Sequence, residues 1–313
     1  MSNGIKAKEG VMMNEELKNS LDKIQQLEVK YNVSIKKYTS FQIGGPVDVF
    51  AVPYSIPALR ELLSNIKKYN IPFFILGKGS NIIVGDKGYR GIIIYTGKLK
   101  KVILEGNQLI AEAGITLASL ANKAMTAGLT GLEFASGIPG TLGGALFMNA
   151  GAYDGEMKDV VKNAVLLNYS GEQIDLNNEH LELSYRYSVL QEKPLVAVKV
   201  YFELKPGKKQ EIEEKMKTLN RKRKEKQPLE WPSAGSIFKR PTGYYSGPLI
   251  EDAGLKGIRV GDAQVSTKHA GFIINLGKAT AADVKNLISK VQEEVYQKSG
   301  VKLEVEPRFI GKF

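Results

Sequence analysis

The chain has 313 residues, and its 32 glycines are spread very unevenly. Two tracts, Gly77-Lys78-Gly79-Ser80-Asn81 and Gly137-Ile138-Pro139-Gly140-Thr141-Leu142-Gly143-Gly144-Ala145, carry little side-chain bulk. Glycine loses more backbone entropy on folding than any other residue. Such tracts make sense where the backbone must lie against a ligand or against another segment. The first follows the apolar run 71–76, read as a buried strand. Consecutive backbone N–H groups turned inward there would form a concave anion site suited to a diphosphate. The competing reading is a plain strand-to-strand turn. The second tract runs on into Asn149-Ala150-Gly151-Ala152-Tyr153 and suits either a flat or charged ligand or close packing at a domain junction. Two such tracts in one chain favour a nucleotide-like cofactor. Neither matches Gly-x-Gly-x-x-Gly or a P-loop, so the cofactor is not expected to bind in the usual dinucleotide manner.

Composition removes several chemistries. There is no cysteine, which excludes disulfides, thiolate metal sites, Cys nucleophiles and iron–sulfur clusters. His180 and His269 are the only histidines, which nearly excludes a multi-His metal site. Forty-four Lys and Arg against 33 Asp and Glu give a net charge of +11. That favours anionic partners: nucleic acid, an anionic membrane or small phosphorylated ligands. No apolar run reaches the ~18–20 residues that span a bilayer. The first ten residues have no apolar stretch of the signal-peptide kind, so cytoplasmic residence is the default expectation.

At roughly 100–200 residues per domain, the length allows two or three domains. Asn14 is expected to cap a helix running through Leu17, Leu21, Ile24 and Leu27. A turn over 38–46 leads to a strand at 47–52. Pro57 suits the first turn of a helix with its apolar stripe on Leu59, Leu62, Leu63, Ile66 and Tyr69. Strands follow at 82–84 and 91–95. From about 100 the pattern becomes hairpins, 102–105 with 108–113 and 161–169 with 172–176, around a helix at 117–127. After a strand at 195–204, Pro206-Gly207 marks a boundary. The helix 208–226 is highly charged, but Glu211, Glu213, Glu214 and Glu225 interleave its cations, as on a solvated face. Residues 227–247 read as a loop, and 258–265 and 271–275 as strands. Thr280 and Asp283 form a capping box for a helix with a Val284, Leu287, Ile288, Val291, Val295 stripe, stopped by Gly300. In a terminal strand, Val301, Leu303 and Val305 alternate with Lys302, Glu304 and Glu306.

Four further positions could carry chemistry. Ser236, in Ser233-Ala234-Gly235-Ser236-Ile237-Phe238-Lys239-Arg240-Pro241, lies near two cations that would ease loss of its proton; its plain reading is a serine bonded to backbone. Neither Gly-x-Ser-x-Gly nor a Ser-His-Asp arrangement is present. Arg186, in Tyr185-Arg186-Tyr187-Ser188, could hold a carboxylate bidentately or simply pack among aromatics. Glu306 reads as an exposed residue on the polar side of its strand. His269 reads as a hydrogen-bonding side chain.

Taken together and in order, seven stretches resemble the UDP-N-acetylenolpyruvoylglucosamine reductases, flavoenzymes of peptidoglycan precursor synthesis. They are Thr39-Ser40-Phe41-Gln42-Ile43-Gly44-Gly45-Pro46, Leu76 through Asn81, Gly137 through Gly144, Asn149 through Tyr153, Tyr185-Arg186-Tyr187-Ser188, Ala234 through Pro241, and Glu306 through Gly311. The form resembled is the shorter type II, which lacks an extra tyrosine-bearing loop. One departure is visible: Glu306 is followed by Pro307, which has no backbone donor, where the family usually has valine.

The resemblance implies an α+β fold: a two-subdomain FAD-binding module of the vanillyl-alcohol-oxidase/PCMH type plus a separate α/β substrate-binding domain. The corresponding segments are 1–95 with the terminal strand 301–313, then 96–207, then 208–300. It implies non-covalent FAD held by Gly77, Lys78, Gly79, Ser80, Asn81, Gly137, Ile138, Pro139, Gly140, Thr141, Gly143, Gly144, Asn149, Gly151 and Ala152. NADPH would reduce the flavin and leave, and UDP-N-acetylglucosamine enolpyruvate would take its place and receive hydride on its vinyl carbon. Arg186 and Glu306 would support the resulting enolate, and Ser236 would donate the closing proton. A bare Glu306 carboxylate beside an enolate is odd; a protonated one, or one orienting Arg186 or a water, is not. Tyr153, Lys239, Arg240, His269 and Arg308 would face the substrate. The implied protein is a monomer without nucleic acid, metal or membrane insertion. Two other readings remain at this point: another flavoprotein of the superfamily, and a basic nucleic-acid binder, for which no recognition motif is present.

Overall fold

The computed structural model describes residues 15–313. The expected Asn14 cap lies outside them. Helix Glu15–Asp22 buries Leu17 and Leu21. It ends sooner than its apolar spacing predicts, because Leu27 already starts strand Leu27–Ser34.

The chain divides into two compact units, one of residues up to Tyr31, 49–78 and 90–221, the other of 32–48, 79–89 and 222–313. The first is built on two sheets. One runs in the spatial order Leu27–Ser34, Pro46–Pro53, Tyr89–Tyr95, Phe73–Leu76. Its last two strands are parallel; helix Ile56–Lys68 leads from Pro46–Pro53 into Phe73–Leu76, and Ser55 accepts from the Ala58 N–H to cap its first turn. The other sheet is antiparallel, in the order Gln173–Asn177, Val161–Asn168, Leu195–Glu203, Gln108–Glu112, Val102–Glu105. Its central strands are apolar on both faces, as a strand buried on both sides must be. Ala164 and Leu166 enter one core cluster with Phe202. Val165 and Leu167 enter another with Leu59, Leu62 and Ile94.

At the expected boundary near 207 the chain stays in this unit. Lys205–Pro206 pairs with Leu129–Thr130, and the Gly207 N–H donates to the Gly128 carbonyl. Helix Lys209–Lys226 buries Ile212 and Met216 in the cluster that holds Phe202. The second glycine tract runs into a short helix, Leu142–Phe147.

In the second unit an antiparallel sheet runs Ser233–Ser236, Phe272–Asn275, Ala263–Val265, Arg259–Val260. Helix Ala281–Ser299 packs its Val284, Leu287, Ile288, Val291 and Val295 stripe into the same cluster as Ala263, Val265 and Ile273. Its Thr280–Asp283 capping box forms in full, and Gly300 closes it in the left-handed conformation.

Three expectations are corrected here. The run 258–265 is two strands, because Gly261, at φ +55°, and Asp262 turn the chain back. Residues 227–247, read as loop, contain strand Ser233–Ser236. The alternation over 301–306 makes only an isolated bridge, Val305 with Phe238. The terminal strand is instead Arg308–Ile310, parallel to Ile82–Val84.

Candidate active site

In the first unit Gly77 of the first glycine tract meets Thr141 of the second. This residue occupies the N-cap position of helix Leu142–Phe147 but makes no side-chain cap bond. Its hydroxyl lies against Gly77 instead: a Cβ there would stand 2.2 Å from Oγ1, so only glycine fits. Thr141 Oγ1 is buried and without a hydrogen-bond partner. An orphaned buried hydroxyl costs about 1–3 kcal/mol, so its retention is explained by a ligand that bonds it. Gly144 is exposed, and Thr141 Oγ1, at 3.6 Å, is the nearest atom to a Cβ built on it. The backbone N–H groups of residues 78–81 donate to no acceptor among the described residues. A run of backbone donors, and separately an orphaned hydroxyl, are each groups that a diphosphate can engage. The residues present therefore fit FAD.

Close packing accounts for several of the same glycines. Gly79 has φ +65°, and a Cβ would strike the Tyr38 carbonyl oxygen at 2.1 Å. One on Gly143 would touch Ala113, and one on Gly151 would meet Glu156. The N–H groups of Leu142 and Gly143 donate to the Ile115 and Ala113 carbonyls. In these tracts glycine serves both readings.

Arg186 sits in a tight reversal. Ser184 and Tyr187 exchange backbone hydrogen bonds of 3.2 and 3.0 Å around Tyr185-Arg186, and Arg186 has φ +56°. Its guanidinium stands 5.1 Å from the Tyr185 ring centroid, so the aromatic-packing reading is realised in part. A non-glycine residue in this region persists only when its surroundings over-determine it. Asn149 (φ +42°) and Tyr153 (φ +58°) share that conformation. Asn149 is buried, and its amide is committed to backbone: Nδ2 donates to Ser184 O at 3.0 Å and Oδ1 accepts from Lys158 N at 2.9 Å. Its side chain thus holds the Arg186 turn. Tyr153 turns the hairpin between Gly151–Ala152 and Gly155–Glu156. Its hydroxyl donates to Leu219 O at 3.0 Å. Ile138 packs against the core, whereas Pro139 is exposed.

In the second unit Ser236 ends strand Ser233–Ser236 just after a break in register. Gly235, at φ +77°, supplies the left-handed residue, and no atom lies within 4 Å of where its Cβ would be. Bulges of this kind re-aim the next side chain. Ser236 Oγ donates to Phe238 O at 3.1 Å, so the plain reading of a backbone-bonded serine is also met. His269 borders it: a Cβ on Gly271 would lie 3.1 Å from the imidazole and 3.5 Å from Ser236 Oγ. The Gly271 N–H donates to His269 Nδ1 at 3.1 Å, which leaves the proton of the neutral ring on Nε2. Burial pushes the His269 pKa below its ordinary value, against an opposing backbone hydrogen bond.

Glu306 lies beside Ser236, its N–H donating to Ile237 O at 2.8 Å. The N–H of Arg308 donates to Asn81 O at 3.1 Å, which brings Arg308 to the end of the first glycine tract. Pro307 falls between two residues whose donors are both used, so its missing N–H breaks neither bond. Lys239 is ion-paired with Glu304, and Arg240 stacks on Tyr245 at 4.0 Å. The Thr39–Pro46 stretch is scaffold here. Ser40 Oγ donates to Ser233 O at 2.7 Å, and Asn275 Nδ2 donates to Phe41 O at 3.1 Å.

Arg186, Asn149, Tyr153, the second glycine tract, Gly77 and Lys78 thus belong to the first unit. Ser236, His269, Glu306, Lys239, Arg240, Arg308, Gly79, Ser80 and Asn81 belong to the second. Sequence reasoning missed the bulge at Gly235 and the side chains around the Arg186 turn. Gly235 was the available signal for the first; nothing local signals the second. Among the described residues no His, Asp and Glu cluster could hold a metal ion, and no helix is long and apolar enough to cross a membrane.

Comparison with known proteins agrees along the chain. Residues 47–177 match the FAD binding domain family, and residues 227–310 match the family described as UDP-N-acetylenolpyruvoylglucosamine reductase, C-terminal domain. A UDP-N-acetylenolpyruvoylglucosamine reductase of Caldanaerobacter subterraneus subsp. tengcongensis is 51% identical over 295 residues, covering 93% of this chain and 98% of that one. The protein of the same description from Clostridium novyi is 48% identical over 303 residues, covering 97% and 98%. The crystal structure of the Thermus caldophilus reductase superposes with a TM-score of 0.79 at 36% identity, covering 91% of this chain and 99% of that one.

Proposed function

This chain belongs to the UDP-N-acetylenolpyruvoylglucosamine reductases, and from that premise we propose how its own residues divide the work. The protein is an FAD-dependent oxidoreductase with the expected α+β fold, and it reduces UDP-N-acetylglucosamine enolpyruvate to UDP-N-acetylmuramate for peptidoglycan. NADPH is the reductant, the protein acts as a cytoplasmic monomer, and segments 1–95 with 301–313 and 96–207 serve the cofactor while the remainder, proposed as 208–300, serves the substrate. When bound, FAD supplies the hydride chemistry between NADPH and the vinyl carbon.

The orphaned Thr141 hydroxyl beside Gly77 is the observation that carries the cofactor assignment. Thr141 would bond an anionic oxygen of the cofactor, and the N–H groups of the first glycine tract would donate to its diphosphate. Hydride addition to the vinyl carbon leaves negative charge on the neighbouring carbon and its carboxylate. Arg186 supplies preorganised positive charge for that anion. Ser236 Oγ–H gives its proton to the carbon, and the alkoxide it leaves is reprotonated from water. Serine is a weak acid, but an enolate carbon is basic enough to drive the transfer. Glu306, whose backbone N–H bonds the residue after Ser236, supports the same anion, by orienting Arg186 or a water or by donating as the acid, since a bare carboxylate facing it would repel it. His269, a neutral ring with its proton on Nε2, contributes a donor without a charge. Tyr153, Lys239, Arg240 and Arg308 contribute to binding the UDP-sugar.

Ser236→Ala tests the assignment. Stopped-flow spectra should show flavin reduction by NADPH at the parent rate and flavin reoxidation by the enolpyruvyl substrate slowed about 100-fold or more, in the range of a lost general acid. Parental rates in both halves would remove Ser236 as the proton donor.

A further inference from the structure

The Arg186 turn is held by side chains that no part of the mechanism uses. Gln191, at the end of the short 3-10 turn Val189–Gln191, donates from Nε2 to two carbonyls. One is Arg186 O at 2.9 Å and the other is Phe147 O at 2.9 Å. The NH2 is the only donor of a Gln side chain and carries two hydrogens, so facing two carbonyl oxygens fixes which end of the amide points at them. Ser188 Oγ donates to the same Phe147 carbonyl at 2.8 Å. Phe147 is the last residue of helix Leu142–Phe147, so its carbonyl is one of those a helix end leaves without an intrahelical partner. Asn149 Nδ2 adds the bond to Ser184 O on the other arm of the turn. The helix that begins at Thr141 therefore ends as the anchor for Arg186.

We propose that Gln191 is a positioning residue for Arg186: by tying the Arg186 carbonyl to the end of helix Leu142–Phe147, it fixes the left-handed turn that aims the guanidinium at the anionic intermediate. The inference rests on the role assigned to Arg186 above. Gln191 is itself exposed and packs into no core cluster; besides the two carbonyls its Nε2 makes only a long contact of 3.9 Å to Met148 Sδ, so its value lies chiefly in the two carbonyl bonds. A left-handed residue with a Cβ relaxes toward ordinary backbone when its restraints are cut. Arginine is long, so a rotation of about 10° at Cα carries its tip by about 1 Å, a misplacement of the size that costs up to about a hundredfold in rate.

Gln191→Glu keeps the shape and removes both donors. In the FAD-loaded protein it should slow flavin reoxidation by the enolpyruvyl substrate about tenfold, equivalent to ~1.4 kcal/mol of transition-state stabilisation. Flavin reduction by NADPH and FAD content should match the parent. Calorimetric titration of the oxidised protein with the same substrate should change by less than about threefold, because the lost interaction grows with the developing charge. In an Arg186→Ala background the same substitution should slow nothing further, which a merely structural role would not produce. Parental reoxidation in Gln191→Glu, or equal slowing with and without Arg186, overturns the inference. If Arg186→Ala alone leaves reoxidation unchanged, the role of Arg186 fails first, and Gln191 loses what it was to aim. Should Gln191→Glu lose flavin, Gln191→Met gives the second reading; loss of flavin in both shows a residue that holds the module together and overturns the proposal.

Discussion

Thr141→Val separates the cofactor site from the packing that surrounds it, because the two predict opposite signs. Thr141 has extended backbone, φ −96° and ψ 159°, which valine adopts readily. Its hydroxyl makes no cap bond and has no partner, so nothing in the cofactor-free protein is lost with it. Removing an unsatisfied buried hydroxyl recovers part of a penalty of about 1–3 kcal/mol. The cofactor-free variant should therefore melt above the parent, by about 2–4 °C for each kcal/mol recovered in a domain of this size. With FAD the sign reverses. A hydrogen bond to a charged oxygen is worth about 1.5–3 kcal/mol, which weakens FAD binding about 10- to 100-fold. Differential scanning calorimetry of deflavinated protein and a fluorescence titration with FAD measure the two arms. A cofactor-free variant less stable than the parent, together with unchanged FAD affinity, would refute the reasoning. The Thr141 hydroxyl would then be a structural group with an internal partner.

Gly235 tests the bulge beneath Ser236. A Cβ there meets no atom within 4 Å, so Gly235→Ala should cost only the left-handed conformation, about 1–2 kcal/mol in urea unfolding. Gly235→Asn, which tolerates that region, should cost less; equal losses would show that φ is not what glycine supplies here. His269 gives the pH dependence. Its pKa is depressed in the folded protein by burial, so the unfolded chain binds its proton first as pH falls. The stability it contributes is complete above the ordinary value of 6.5 and is lost as pH falls from there through the folded value. Urea unfolding from about pH 7.5 to 5 should show a shallower loss in His269→Gln than in the parent; identical slopes would contradict the buried neutral ring.

What the sequence made legible was local. The Thr280–Asp283 box, Pro57 in the first turn of its helix, the hairpin of 102–105 with 108–112 and the stop at Gly300 each depend on neighbouring residues. Each forms as its residue types dictate. Pairing across distance was not legible. The alternating residues 301–306 look like a strand but find a bridge only at Val305, while the pairing partner of Ile82–Val84 is Arg308–Ile310. The apolar run 258–265 hides the turn at Gly261-Asp262, since a reversal inside a buried run leaves the hydrophobic pattern nearly unbroken. The same limit applies at the site. The glycine tracts announced a cradle, but not that Gly77 is required by Thr141 itself. Nothing near Gln191 in sequence shows that its amide reaches Phe147, 44 residues away. The charge of +11 left nucleic acid open as a partner until FAD and a UDP-sugar gave it anionic ligands of another kind.

The most direct measurement is the visible spectrum of the purified protein without oxygen. NADPH should bleach the flavin band, and UDP-N-acetylglucosamine enolpyruvate should restore it in one-to-one amount with UDP-N-acetylmuramate as the product. A band absent from the purified protein and not gained on adding FAD, or one bleached by NADPH and left bleached by the enolpyruvyl substrate, would contradict the account.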